Sequence, residues 1–422
     1  MTNRLLAAMK RLILVVPGLA WVLPGAAQVD SARARAYLRE ATVLCEREGG
    51  RLWGTSLCGP IAIADAPTNT LVTSEAAPSA PRPPTLGYAN SAMQWGERRW
   101  STLVWGMIPA DNPRARGILI LHELFHRIQP QLGFQLNDGS NEHLDTLDGR
   151  YWLQLEWRAL ARALNRRGEA RAAALADALA FRTHRRVLFA GAADDERRME
   201  INEALAQYTG LAAGAASREE AVEAAIEMLA SYERQPTFVR TFPYPMAAYG
   251  LLLDEYAAGW TRTFMVEDDL GDKLALAAGV VPARDVEGAA TRYGGAELRV
   301  AEVRRDSAQR VRLAELRARF VEGPVVVIPN GRMNSFLTAG MTVLPGEGTV
   351  YPGFRTTGEW GSLEADWVLM AADWSMLRVP APFQVDGAAL KGDGWRLAPA
   401  PGWIVKPGAR LGDFRLVREG GG

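Results

Sequence analysis

Gly117-Ile-Leu-Ile-Leu-His-Glu-Leu-Phe-His126 decides how this chain is read. An apolar run leads straight into a His-Glu-x-x-His spacing. On a helix, positions i and i+4 lie one above the other on one face, so His122 and His126 point the same way. Two imidazoles so placed can hold one Zn²⁺, with Glu123 beside an open coordination position. Leu124 and Phe125 supply the apolar face by which such a helix packs. There are only four histidines in the chain, so the pair is no by-product of histidine richness. The plain alternative is a buried helix with two incidentally spaced histidines. Asp111-Asn112-Pro113 marks the expected helix start, with Pro in the first turn.

Working outward, the first residues read as a targeting segment. Arg4, Lys10 and Arg11 precede an apolar stretch from Leu12 to Leu23, followed by Pro24-Gly-Ala-Ala27. That is a basic region, a short apolar region and small residues before a cleavage point, expected after Ala27. Residues 1–27 are thus expected to be a signal peptide, and the mature protein is expected to be exported, periplasmic or secreted. An uncleaved anchor is the alternative. Two prolines and the short length argue against a spanning helix, so no stable membrane insertion is expected after cleavage. Cys45 and Cys58 are the only cysteines, and in an oxidising compartment they are expected to pair. Lys+Arg and Asp+Glu number 48 each, so no global charge recruits nucleic acid. A hydrophobic content of 48% is ample for a packed core.

The remaining chain divides by texture into an α+β arrangement. Residues 28–111 form a β-rich segment after a first helix over Ser31–Leu44. Its expected strands are 61–64, 70–73 and 99–108, and the stretch 102–108 is the candidate to pair with an extended substrate. Residues 112–320 read as helical, with helices over 151–189 (interrupted near Gly168), 196–211, 218–232 and 298–320. The arginine pairs Arg166-Arg167 and Arg185-Arg186 read as solvated faces, and His184 as exposed. Residues 321–422 carry short apolar runs between Gly and Pro turns, at 325–328, 342–344, 348–351, 367–370 and 403–405. They are expected to form a small β-domain, a sandwich or barrel. It holds neither histidine nor cysteine, which makes it a packing or recognition module rather than a source of metal ligands.

A catalytic zinc takes three protein ligands and leaves one position open. A metzincin would place a third histidine at position 132, where this chain has Leu132, and Gln129 stands where that motif has glycine. The candidates are Glu203, Glu156 on a nearer helix, and His143 or Asp145 in a polar loop. For His143 the plain reading is an exposed loop residue. Here Asn202-Glu203-Ala204-Leu205-Ala206 resembles the second-helix motif of the gluzincins, the thermolysin-like zinc peptidases, in which this Glu is the third ligand. The apolar run into His122-Glu-Leu-Phe-His126 is similar to the same group. The resemblance implies a zincin-like, mostly helical catalytic domain with His122, His126 and Glu203 as zinc ligands. Two features depart from the pattern. The 77 positions from His126 to Glu203 imply a helical insertion. Gln207 stands where the family usually has an acid that orients a zinc histidine; Gln can accept that hydrogen bond without adding charge.

The expected chemistry is zinc-assisted hydrolysis of a peptide or protein substrate, with Glu123 as general base. Phe242-Pro-Tyr-Pro-Met-Ala-Ala-Tyr-Gly250 resembles the tyrosine-bearing helix of the aminopeptidase branch of gluzincins. The resemblance implies that Tyr244 stabilises the oxyanion, with Ala247 in place of the usual Gly and Tyr249 as second choice. The other function class is a non-catalytic exported protein that binds metal, peptide or carbohydrate and keeps a vestigial peptidase site. Glu123 separates the two, because holding zinc does not require it.

Overall fold

The computed structural model describes residues 29–65, 68–134, 139–335 and 340–420. The expected signal segment, residues 1–27, lies outside the described residues. The fold is mixed α+β. Helix α1 (Ser31–Glu48) begins at Asp30, whose carboxylate accepts from the Ala32 and Arg33 amides, and it ends at Gly49 with φ 59°. Next in the chain is a four-stranded sheet: β1 (Ile61–Asp65), β2 (Thr70–Thr73), β3 (Ser91–Trp95) and β4 (Arg98–Val104), in the order β2-β1-β4-β3. Strands β1 and β4 run parallel, and the other neighbours are antiparallel.

This sheet corrects one expectation. The stretch 102–108 cannot pair with a substrate as a strand, although Met107 lines the cavity described below. Its first residues lie in β4, flanked by β1 and β3, and Trp105–Met107 turn into a single 3₁₀ coil. The edges are β2 and β3, and β3 is the one beside β4. Its sequence, Ser-Ala-Met-Gln-Trp, has neither β-branched residues nor clean alternation, so it gives little strand signal.

The helical part comprises α2 (Pro113–Ile128), α3 (Leu147–Leu164), α4 (Gly168–Leu188), α5 (Ala192–Met199), α6 (Leu205–Gly214), α7 (Arg218–Tyr232), α8 (Pro243–Tyr256), α9 (Leu270–Ala278), α10 (Val286–Thr291) and α11 (Gly295–Arg317). A single π-helical turn, Glu200–Ala204, joins α5 to α6. The Asn112 side chain caps α2 by accepting from the Ala115 amide, one residue before Pro113. Helices α2 and α6 cross in direct backbone contact. A Cβ on Gly210 would lie 2.5 Å from the Ile118 carbonyl oxygen, and one on Gly214 would lie 2.7 Å from that of Gly117. Only glycine lets α6 come this close, and the approach brings the residues just before it onto the histidine face of α2.

One apolar core runs through the helices and takes in α1, Leu52, Trp53, Ile61, Ile63 and Leu103. The N-terminal β-rich segment therefore packs into the helical core and does not stand apart from it. The C-terminal part has its own core. It is one sheet of eleven strands: β5 (Val325–Pro329), β6 (Arg332–Ser335), β7 (Thr342–Leu344), β8 (Gly348–Gly358), β9 (Gly361–Ala371), β10 (Met376–Pro380), β11 (Phe383–Asp386), β12 (Ala389–Gly392), β13 (Trp395–Pro399), β14 (Trp403–Pro407) and β15 (Phe414–Arg418). The path β11-β12-β13-β9-β10-β5-β15-β14 curls until Phe383 of β11 packs edge-on against Phe414 of β15, with ring centroids 4.9 Å apart. Phe320, Leu344, Val350 and Leu369 join the two parts.

Cys45 and Cys58 form a disulfide. The loop it closes wraps α2. The Trp53 ring lies 4.8 Å from that of Phe125, and Arg127 donates from Nη2 to the carbonyls of Ser56, Leu57 and Cys58. Replacing both cysteines by alanine should cost about 3 kcal/mol, as expected for a loop of this length. Denaturant unfolding of the double variant checks this, and an unchanged midpoint would show that the covalent link contributes nothing.

Candidate metal centre

His122 and His126 are buried on one face of α2, and the π-turn brings Glu203 against them. The two Nε2 atoms are 3.0 Å apart, and Glu203 Oε2 lies 3.3 Å from the first and 3.6 Å from the second. This is the set of three metal-seeking groups found among the described residues. Two imidazole nitrogens and one carboxylate oxygen suit a catalytic zinc, with room for a fourth ligand.

Each ring nitrogen on the far side is held by an amide. His122 Nδ1 lies 3.1 Å from Gln207 Oε1, and His126 Nδ1 lies 2.8 Å from Gln129 Oε1. An amide oxygen only accepts, so both Nδ1 atoms carry the proton and both Nε2 lone pairs face inward. In the metal-free protein a proton stands in for the cation. Burial lowers the His126 pKa, but the hydrogen bond to Glu203 and the charges of Glu123 and Glu203 outweigh it and raise it to about 9. Burial acts against the Glu203 carboxylate, yet the two histidines hold it well below the usual range.

Glu123 points into the same space. Its Oε2 is buried and has no hydrogen-bond partner among the described residues. Burial raises its pKa, the histidines pull it down, and Glu203 pushes it up again. Ser101 Oγ of β4 donates to the Glu123 carbonyl at 2.9 Å and ties the small sheet to α2 at this residue. Tyr244, at the start of α8, stacks on His122 with ring centroids 5.8 Å apart and planes 21° apart. Burial and the nearby Glu203 raise the pKa of its hydroxyl, so it stays protonated and able to donate.

These groups line a cavity of about 700 Å³ that opens between α2 and α7. Ala115, Ile118 and Leu119 line one side and Ala224, Met228 and Tyr232 the other, with Glu227 and Ser231 among the α7 groups. Asn90, just before β3, lies on its rim. At the far end Arg114 pairs with Glu223 and Glu227.

The other sequence candidates sit elsewhere. Glu156 is fully buried and takes the Tyr249 hydroxyl at 2.7 Å, with Arg185 and Arg182 on its carboxylate. Neither Glu156 nor Tyr249 therefore reaches the metal-seeking cluster. His143 is largely buried and bonds Glu196 at 2.9 Å, so it is no exposed loop residue. Asp145 accepts from Arg150, Thr237 and the Phe238 amide. The pair Arg185-Arg186 is also not a solvated face. Arg185 is completely buried, forked onto Glu196 at 2.8 and 2.9 Å, and Arg186 reaches Glu196 and Asp269 at 2.7 Å each. Arg182 forks onto Glu200 at 2.7 and 2.6 Å. Arg166 and Arg167 are exposed as expected, and His184 is half-buried against Trp152. Gln129 is a site residue that sequence reasoning misses, since a glutamine three positions after a histidine carries no motif signal.

Compared with protein-family models, with the curated proteins and with the solved structures, the chain matches none.

This geometry has two testable outcomes. Glu156→Ala should leave metal uptake intact while destabilising the fold by roughly 3–5 kcal/mol, because it strands buried arginine charge. Loss of metal from that variant would return Glu156 to the ligand set. The second concerns protons. The His126 pKa is raised above its ordinary 6.5, so its proton stabilises the metal-free protein below that value, and this contribution is lost as pH rises through about 9. Metal uptake near pH 7 should therefore release about one proton, and the release should fade as pH approaches 9. Calorimetry in buffers of different ionisation enthalpy measures it. Uptake with no proton release at pH 7 would contradict the protonated imidazole.

Proposed function

We propose that the chain is an exported zinc-dependent metallohydrolase that cleaves peptide bonds. The observation that carries this reading is the convergence, in one cavity, of His122, His126 and Glu203 with a buried Glu123 oxygen that has no partner among the described residues. A metal-binding site alone has no use for a carboxylate oxygen buried with no partner among the described residues, since leaving it so is costly.

His122, His126 and Glu203 hold the ion, which when bound supplies Lewis acidity toward water and a substrate carbonyl. Glu123 takes the proton of the attacking water and hands it to the leaving amine. The buried setting of Glu123, which raises its pKa, suits a group that must both accept and return a proton. The protonated Tyr244 hydroxyl donates to the oxygen on which negative charge develops. Ala89 and Asn90, which lead into β3, line the cavity, and the outer edge of β3 can take an extended chain by backbone hydrogen bonds. The apolar groups nearest the histidines, Ile118 and Leu119 of α2, favour an apolar side chain next to the scissile bond. Export agrees with the disulfide, and among the described residues no helix is long and apolar enough to cross a membrane.

The test is a peptide-library assay with metal content measured in every variant. Glu203→Ala should strip the metal. Glu123→Gln should keep it and lose about 10²–10⁴-fold in turnover. Tyr244→Phe should lose on the order of 10²-fold. Zinc-loaded wild type that is inert toward every peptide would favour the non-catalytic binding protein. Equal turnover of wild type and Glu123→Gln would remove Glu123 from the reaction.

A further inference from the structure

We propose that Gln129 is a positioning residue that couples two of the three metal-holding side chains, so that His126 and Glu203 keep one geometry. This role rests on the metal reading of the site. Gln129 comes directly after α2, at the start of a 3₁₀ turn, and is completely buried. Its two amide ends face different segments. Oε1 accepts from His126 Nδ1 at 2.8 Å. Nε2 donates to the carbonyls of Ile201 and Asn202, each at 2.9 Å. Those are the two residues before Glu203 in the π-turn.

The orientation of this amide is forced by its neighbours. Turned over, its NH₂ would face an imidazole N–H and its oxygen would face two carbonyl oxygens. A single side chain thus sets the tautomer of one ligand and the backbone position of the next. Glutamate in its place keeps the acceptor but puts negative charge against two carbonyls. Methionine fills the space and makes neither bond. Asparagine is one methylene too short to span the two segments.

The other imidazole is held in the same sense. Gln207 reaches His122 at 3.1 Å from α6, which continues the π-turn that carries Glu203. Both histidines of α2 are therefore oriented by amides tied to the segment that provides the third group. Gln129 is the link that would fail separately, because it lies on the α2 side and its bonds run across to the π-turn.

The experiment uses the full mature chain with Zn²⁺ and Co²⁺ as probes, on wild type, Gln129→Met and Gln129→Glu. Zinc affinity is read by chelator competition, and ligand geometry by the visible absorption of the cobalt-loaded protein. Circular dichroism and the unfolding midpoint report whether each variant folds. Gln129→Met should bind zinc about 10–100-fold more weakly, the usual effect of losing an outer partner of a metal histidine. Its cobalt bands should shift in position or intensity while the circular dichroism stays as in wild type. Gln129→Glu, nearly the same shape, should also shift the bands, because its carboxylate repels the Ile201 and Asn202 carbonyls. It carries the test if Gln129→Met does not fold. Wild-type affinity and wild-type bands in the folded variant would overturn the proposal. A wild type that takes up neither ion would overturn the metal reading itself, and this proposal with it.

Discussion

Mutual repulsion among converging acceptor atoms is the constraint around which the helical part of this protein is built. Two imidazole nitrogens lie 3.0 Å apart with a carboxylate oxygen 3.3 and 3.6 Å from them, all in a mostly buried setting. Lone pairs packed so tightly in a low-dielectric site push each other apart unless a cation or a proton sits among them. Left alone, three flexible side chains would splay. The scaffold has to hold them together from outside, and several polar contacts of α2 do this. Gln207 and Gln129 grip the far sides of the rings. Ser101 holds the Glu123 carbonyl, and Arg127 fastens the end of α2 to the disulfide loop.

The scaffold starts from backbone proximity. Because Gly210 and Gly214 carry no Cβ, α6 can lie directly on Gly117 and Ile118, four or five residues ahead of His122. At that distance, a side chain as short as glutamate on the preceding turn reaches the imidazoles. The π-turn completes the placement. One extra residue in the turn rotates the next residues around the helix axis. It puts Glu203 and Gln207, four positions apart, on the one face that looks at α2. The metal-facing ligand and the outer partner of His122 thus come from the same short segment.

How much of this can be read from the residues depends on range. The α2 pair is local, and i, i+4 geometry makes it legible. Glu203 is reached through motif resemblance, and Tyr244 likewise, and both lie against the histidines. The mixed α+β class comes from texture alone. The hidden features depend on distant partners. Arg185 looks like a solvated arginine in sequence, because the groups that bury it, Glu156 and Glu196, sit 29 and 11 positions away. Tyr249 and Glu156 each look like a candidate, and they satisfy one another across 93 positions. Strand β3 escapes a sequence reading because five unremarkable residues form an edge only when β4 is beside them. Gln129 escapes it because its partners at positions 201 and 202 lie far along the chain.

The buried charge cluster behind the site shows the same logic at a larger scale. Burial alone would raise the Glu196 carboxyl, yet Arg185 and Arg186 hold it well below the usual carboxylate range. Glu200 responds differently: burial raises its pKa, with Arg182 opposing. Clusters of this kind are poor sources of stability, because an apolar packing of equal volume often does as well. They do provide direction, since a guanidinium fork fixes the plane and angle of each carboxylate it meets. Arg182 sets that fork on Glu200, the first residue of the π-turn, and also bonds Asp269 just ahead of α9. The turn is therefore gripped at its start by a charged fork from α4 and in its middle by Gln129 from the end of α2. A turn held at two points has little freedom to rotate, and Glu203, the residue directly after the second grip, inherits that rigidity.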